Sequence, residues 1–219
     1  MRSSVHPGPA RDPNVERSDV PRGEIVIAHE ANAGPVSAVR NIVIQFSIGQ
    51  LKAANHYERY ASEIARDQLE ELLSRLGPGW IPIELAFAHY QALENMKLDR
   101  AQLAALGASV GDRLQETALI SHAKKTRDDR DLWSQLGPLH RMFPRLYQGG
   151  SMQISKLGPK EMSIEQRGLS LNRLRHFREA QVAALAATFD AVAVQTYSCL
   201  KVERFNPAND ETLFRVAWD

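Results

Sequence analysis

From Ser151 to Trp218 the chain runs in a two-residue hydrophobic rhythm that a sheet with one buried face satisfies, and a single helical stretch interrupts it. Met152, Ile154 and Lys156 alternate with Ser151, Gln153 and Ser155, and Met162 and Ile164 alternate with Ser163 and Glu165. Successive side chains on a strand point to opposite faces, so the pattern predicts two half-wet strands. Gly158-Pro159-Lys160 between them predicts a hairpin turn. His176 to Val192 is rich in alanine and carries Phe177, Val182, Leu185, Phe189 and Val192, which predicts a helix. Val194 to Phe205 and Thr212 to Trp218 then read as strands joined by Asn206-Pro207-Ala208-Asn209-Asp210.

Upstream the rhythm is mainly helical. Residues 1 to 23 hold Pro7, Pro9, Pro13 and Pro21 among charged and small residues; such a composition buries too little to offset ordering, and a disordered tail is expected. Ile25-Val26-Ile27 and Val36 to Ile48 are rich in β-branched residues and predict strands, with Asn32-Ala33-Gly34-Pro35 as a hairpin turn. Tyr57, Tyr60, Ile64, Leu69, Leu72, Leu73 and Leu76 recur at helical spacing, predicting one helix from Leu51 to Leu76 that Gly77-Pro78-Gly79 ends. Pro82 suits the first turn of a helix from Ile83 to Met96. Asp99 suits the N-cap of a short helix through Leu106, and a further helix is expected from Val110 to about Lys125. Helices followed by an antiparallel sheet define an α+β fold, expected as one domain over residues 24–219.

Composition excludes several functions. Lys and Arg number 27 against 26 Asp and Glu, so a net charge of +1 sets up no field to recruit nucleic acid or an anionic membrane. Cys199 is the only cysteine, which rules out an internal disulfide and a multi-cysteine zinc site and suits a cytoplasmic protein. No run of residues is long and apolar enough for a membrane span. His6, His29, His56, His89, His122, His140 and His176 include no pair at helical spacing, so no metal site is expected, and most read as surface or satisfied core histidines.

The helical front half followed by strand-strand-helix-strand-strand, together with Gly79-Trp80-Ile81-Pro82, Phe143-Pro144 and Phe214-Arg215-Val216-Ala217-Trp218, resembles the superfamily that unites haem nitric-oxide sensor domains, four-vinyl-reductase-like ligand-binding domains and Golgi transport-particle subunits, and within it a myxobacterial branch. The resemblance covers about residues 77 to 219. It implies an apolar ligand, haem or acyl chain enclosed between helices and sheet, and often a homodimer. Haem itself is disfavoured by the residues. The histidine of the haem sensors would fall near Leu136, within Trp133-Ser134-Gln135-Leu136-Gly137, which offers no ligand, and Gly137-Pro138 breaks the helix leading to His140. The sensors' Tyr-x-Ser-x-Arg propionate clamp would fall on Ser163, Glu165 and Arg167, where Glu165 brings a negative charge. The expectation is therefore no cofactor.

Trp80, Phe87, Tyr90, Trp133, Phe143 and Tyr147 bunch ahead of the sheet as core or pocket aromatics, with His140, Tyr147 and Arg167 as candidate polar groups. Arg173, Arg175 and Arg178, with His176, open a predicted helix where free N–H groups favour an anion. Cys199 lacks an activating neighbour and no Gly-x-Ser-x-Gly elbow occurs, so an enzyme ranks last. Two functions remain. The first is a non-catalytic sensor or regulatory domain that binds an apolar or amphipathic small molecule. The second is a structural module, dimerising or partner-binding, with a filled core. A closed pocket of ~300 Å³ or more separates the first from the second.

Overall fold

The structure, a computed structural model, describes residues 24–29, 34–99, 101–105, 133, 142–192 and 197–218. The tail at 1–23, the whole of the helix expected from Val110 to about Lys125, and His140 lie outside them.

The C-terminal rhythm folds as its spacing dictates. β5 (Ser151–Gly158) and β6 (Glu161–Arg167) form the hairpin, with Ile154 opposite Ile164. β7 (Tyr197–Asn206) and β8 (Glu211–Trp218) form the second hairpin, and β8 lies antiparallel to β6 with Phe214 opposite Ile164. Between the hairpins runs α6 (Arg175–Val192). Ile154, Ile164, Phe214 and Val216 are each 1% exposed or less and make the inner face of this sheet. Burying side chains of this size contributes about 1.5–3 kcal/mol apiece. The fold is α+β, as expected.

β1 (Glu24–His29) departs from the expected hairpin with its sequence neighbour. It pairs antiparallel with β5, completing a sheet in the order β1-β5-β6-β8-β7. A three-stranded sheet lies beside it: β2 (Ala38–Arg40) between β3 (Trp80–Pro82) and β4 (Tyr147–Gln148).

The strand expected through Ile48 stops at Arg40, and α1 (Asn41–Ala53) takes the rest. Its buried residues Val43, Ile44, Ser47, Ile48 and Leu51 recur at three and four. A helical period was present under the β-branched composition, and packing decided in its favour. Asn41 holds the helix start to the end of the next segment, its Nδ2 donating to the Arg75 carbonyl at 2.8 Å. The helix expected from Leu51 to Leu76 is two helices, α2 (Tyr57–Glu63) and α3 (Arg66–Ser74), because the backbone turns extended at Ile64 and Ala65. Asn55, at φ 57°, provides the left-handed residue that separates α1 from α2. α4 (Ile83–Asn95) begins after Pro82 as expected. Asp99 caps the helical turn at 101–105: its Oδ1 accepts from Gln102 N at 2.9 Å, and Gln102 Oε1 accepts from Asp99 N at 3.0 Å. That reciprocal pair is a capping box.

The two sheets are joined where the chain at 34–36 passes between two glycine-containing turns. Gly150 N–H donates to Gly34 O at 2.7 Å and Val36 N–H to Gly168 O at 2.8 Å. Gly150 has φ 69°, and a Cβ there would lie 2.7 Å from Val36 Cγ2 and 2.9 Å from Arg167 O. Only glycine fits this crossing. It also fixes α5 (Phe143–Leu146), whose Phe143 ring lies against the same spot.

Candidate functional site

Between α6 and the inner face of the larger sheet lies a cavity of about 100 Å³. Met152, Ile154, Ile164 and Gln166 form its floor, Met142, Phe143, Leu146 and Tyr147 one wall, and Gln181, Ala184, Leu185 and Thr188 of α6 its roof. Phe143 and Tyr147 pack with ring centroids 4.9 Å apart. The lining is apolar apart from Tyr147, Thr188 and the two glutamines, and Thr188 satisfies its hydroxyl by donating to Ala184 O at 2.8 Å.

The polar groups at this cavity are poorly matched. Both amide atoms of Gln181 are buried without a partner. Burial raises the Tyr147 phenol well above its ordinary value, and the neighbouring Gln181 side chain opposes that rise. Behind Gln166, Asn172 Nδ2 donates to Gln166 Oε1 at a long 3.4 Å, while Asn172 Oδ1 and Thr212 Oγ1 are buried without partners. Buried polar atoms are nearly always paired with protein or water, and each unpaired one costs about 1–3 kcal/mol.

Of the described residues singled out by sequence, Phe143 and Tyr147 meet at this cavity and the others lie elsewhere; His140 lies outside the described residues. Tyr90 is in the core between α4 and α6, edge-on to Phe177 at 4.7 Å. Phe87 is half-buried on α4, and Trp80 on β3 sits under the Arg40 guanidinium at 5.1 Å. Trp133 packs edge-on against Trp218 at 5.4 Å with Lys156 over its ring. Ile164 and Gln166 face the cavity, so Ser163, Glu165 and Arg167 point to the opposite face of β6. There Arg167 pairs with Glu165, and with Glu211 at 3.5 Å. The residues that occupy the inner face at this height are Met162, Ile164 and Gln166.

The cations at the start of α6 are engaged within the chain. Arg173 pairs with Asp210 through two hydrogen bonds of 2.6 and 3.2 Å. Arg175 pairs with Glu179 at 2.7 Å, and Arg178 donates to the Asn172 and Arg173 carbonyls while lying over the Phe205 ring. The free N–H of His176 donates to Glu94 Oε2 at 2.6 Å. The helix N-terminus thus has an anion already, a carboxylate from α4.

Sequence reasoning missed a buried chain of three polar side chains. His89 is 0% exposed; Tyr60 Oη lies 2.7 Å from its Nδ1 and Ser47 Oγ 3.1 Å from its Nε2. Burial pushes the His89 imidazole down to about 3, helped by nearby His176, which burial pushes down to about 4. Both are therefore neutral at pH 7, and each side of His89 is satisfied. Gln181 was missed as well, although it had a signal: with Phe177, Ala184, Leu185 and Thr188 it falls on one stripe of an alanine-rich helix, a polar residue on the inward face.

A broader, open hollow of about 480 Å³ lies on the outer face, lined by Lys160, Glu161, Cys199, Lys201 and Arg215 among others. Arg215 is bound there by Glu161 and Glu203, so the inner cavity is the better candidate despite its smaller volume. Among the described residues no three His, Cys, Asp or Glu side chains converge to hold a metal ion, and no helix is long and apolar enough to cross a membrane.

No known family profile and no curated protein matches the chain. Its fold does match solved structures. The Fe(II) unliganded H-NOX protein from K. algicida superposes with a TM-score of 0.60 at 11% identity, over 82% of this chain and 96% of that one. A point mutant of that same protein gives 0.57 at 11% identity, over the same shares. A structure from work on heme distortion in the H-NOX family gives 0.51 at 7% identity, over 82% and 95%. The chain has an H-NOX-like fold.

This likeness corrects the expectation of no cofactor, because the solved structures that share the fold are H-NOX proteins and heme is the subject of that work. The described cavity supplies part of what haem needs. Its apolar floor and roof suit a macrocycle, but its lining among the described residues holds neither an imidazole nor a cation, and about 100 Å³ is far below the 300–1,000 Å³ of pockets for larger ligands. Haem in this position would require a wider cavity and a donor from outside the described residues, where His140 lies.

Proposed function

We propose that the chain is a small-molecule-binding domain of sensor type, non-catalytic, that holds its guest between α6 and the inner face of the sheet. The observation that carries this reading is the cavity itself, apolar along its length and bordered by a glutamine whose amide is buried and unpaired. A core that served only for packing would gain by an apolar residue at position 181. At about 100 Å³ the cavity falls short of the ~300 Å³ that separates ligand binding from a filled core, so its size does not favour this reading over the interaction module and any guest in this conformation is small. The H-NOX-like fold supports the same reading, since its solved members include Fe(II) forms described as unliganded.

Native mass spectrometry of the purified full chain, with absorption spectra before and after haem addition, tests the proposal. Retained or titratable small molecules support it, and a Soret band from stoichiometric uptake assigns haem as the guest. A chain that takes up neither overturns it and leaves the interaction module with a filled core.

A further inference from the structure

The unpaired groups say what kind of head the guest carries. Resting on the reading above, we infer that the cavity selects an uncharged small molecule with a single hydroxyl or amide head, seated against Gln181 and Tyr147, and a hydrocarbon body lying over Ile164 and Leu185. Gln181 offers a donor at Nε2 and an acceptor at Oε1, both buried and both unmet. A hydroxyl supplies the complementary acceptor and donor in one atom, and an amide supplies them in two.

Charge settles the rest of the head's chemistry. No Lys, Arg, His, Asp or Glu lines the cavity among the described residues, and the arginines at the start of α6 are committed to Asp210, Glu179 and backbone carbonyls. A carboxylate or ammonium would enter this apolar space without a counter-ion, at a desolvation cost that a neutral head does not incur. Volume limits the body. An engineered cavity of ~150 Å³ takes benzene, six heavy atoms, so about 100 Å³ accommodates on the order of four or five heavy atoms. Water filling the polar end would satisfy the same amide, and it is the competitor that the ligand must displace.

The test compares 1-butanol, pentane and butanoate on the full chain and on Gln181→Leu, by ligand-observed NMR and by thermal shift. The wild type should bind 1-butanol about tenfold or more tightly than pentane and reject butanoate, because a site built around a hydrogen bond discriminates against an analogue that lacks it. Gln181→Leu should keep pentane binding, lose the alcohol preference, and melt higher than the wild type without ligand. Equal binding of butanol and pentane by the wild type, preference for butanoate, or an unchanged alcohol preference in Gln181→Leu would overturn the inference while leaving a small-molecule site in place. Binding of none of the three overturns it outright, and uptake of haem in their place separates that failure from failure of the proposed function.

Discussion

Acid should destabilise this protein through two histidines well before its carboxylates titrate. His89 and His176 are 0% and 3% exposed, and burial lowers them to about 3 and about 4. In the unfolded chain each returns to its ordinary value near 6.5. Between those limits the unfolded state binds more protons than the folded one, so stability is full above pH 6.5 and is lost as pH falls. From pH 7.5 to 5.0 each histidine costs about 2 kcal/mol, and the two together about 4 kcal/mol, a large part of a typical total of 5–15 kcal/mol. The assay is urea unfolding at pH 7.5, 6.0 and 5.0 for the wild type and for His89→Gln with His176→Gln. Glutamine keeps a donor and an acceptor toward Tyr60 and Ser47. The double variant should be less stable at pH 7.5 but lose little more by pH 5.0. Parallel losses in both proteins would refute the argument.

Other substitutions report on single features. Gly150→Ala, which forces a Cβ against Val36 and the Arg167 carbonyl at φ 69°, should cost about 2–4 kcal/mol in chemical denaturation. Asp99→Ala removes one half of the capping box and should cost about 1 kcal/mol, with Asp99→Ser recovering most of it. Glu94→Ala uncaps His176 N–H at the start of α6 and should cost about 1–2 kcal/mol, visible as faster amide exchange in the first turn of that helix.

The parts that local chemistry specifies were legible. Alternation defined β5 and β6, Gly158-Pro159-Lys160 their turn, alanine content α6, and Asp99 an N-cap, since each rests on residues close in sequence. What failed depended on distant partners. Val43, Ile44 and Ile48 have strand composition, yet their helical stripe is the side that meets the core. Ile25-Val26-Ile27 read correctly as a strand, but its pairing with β5 is invisible to local pattern. At the site, Phe143 and Tyr147 were found because aromatics advertise pockets. The family clamp directed attention to Ser163, Glu165 and Arg167, one residue out of step with the face that the strand turns inward. Gln181 passed unnoticed because a lone glutamine on a helix reads as surface until the opposing sheet is in place.

β1 has a further consequence, for the order of assembly. Its register sets Glu24 against Lys156, so closing that edge joins residues more than a hundred positions apart. The hairpins of β5–β6 and β7–β8 need only short turns, whereas the β1 contact carries the entropy of a very long loop and raises the contact order that slows folding. Until β1 arrives, the outer edge of β5 presents unpaired N–H and C=O groups, the template on which strands of separate chains associate. Whether β5 meets its own β1 or a neighbour's edge is therefore a race between intramolecular closure and protein concentration.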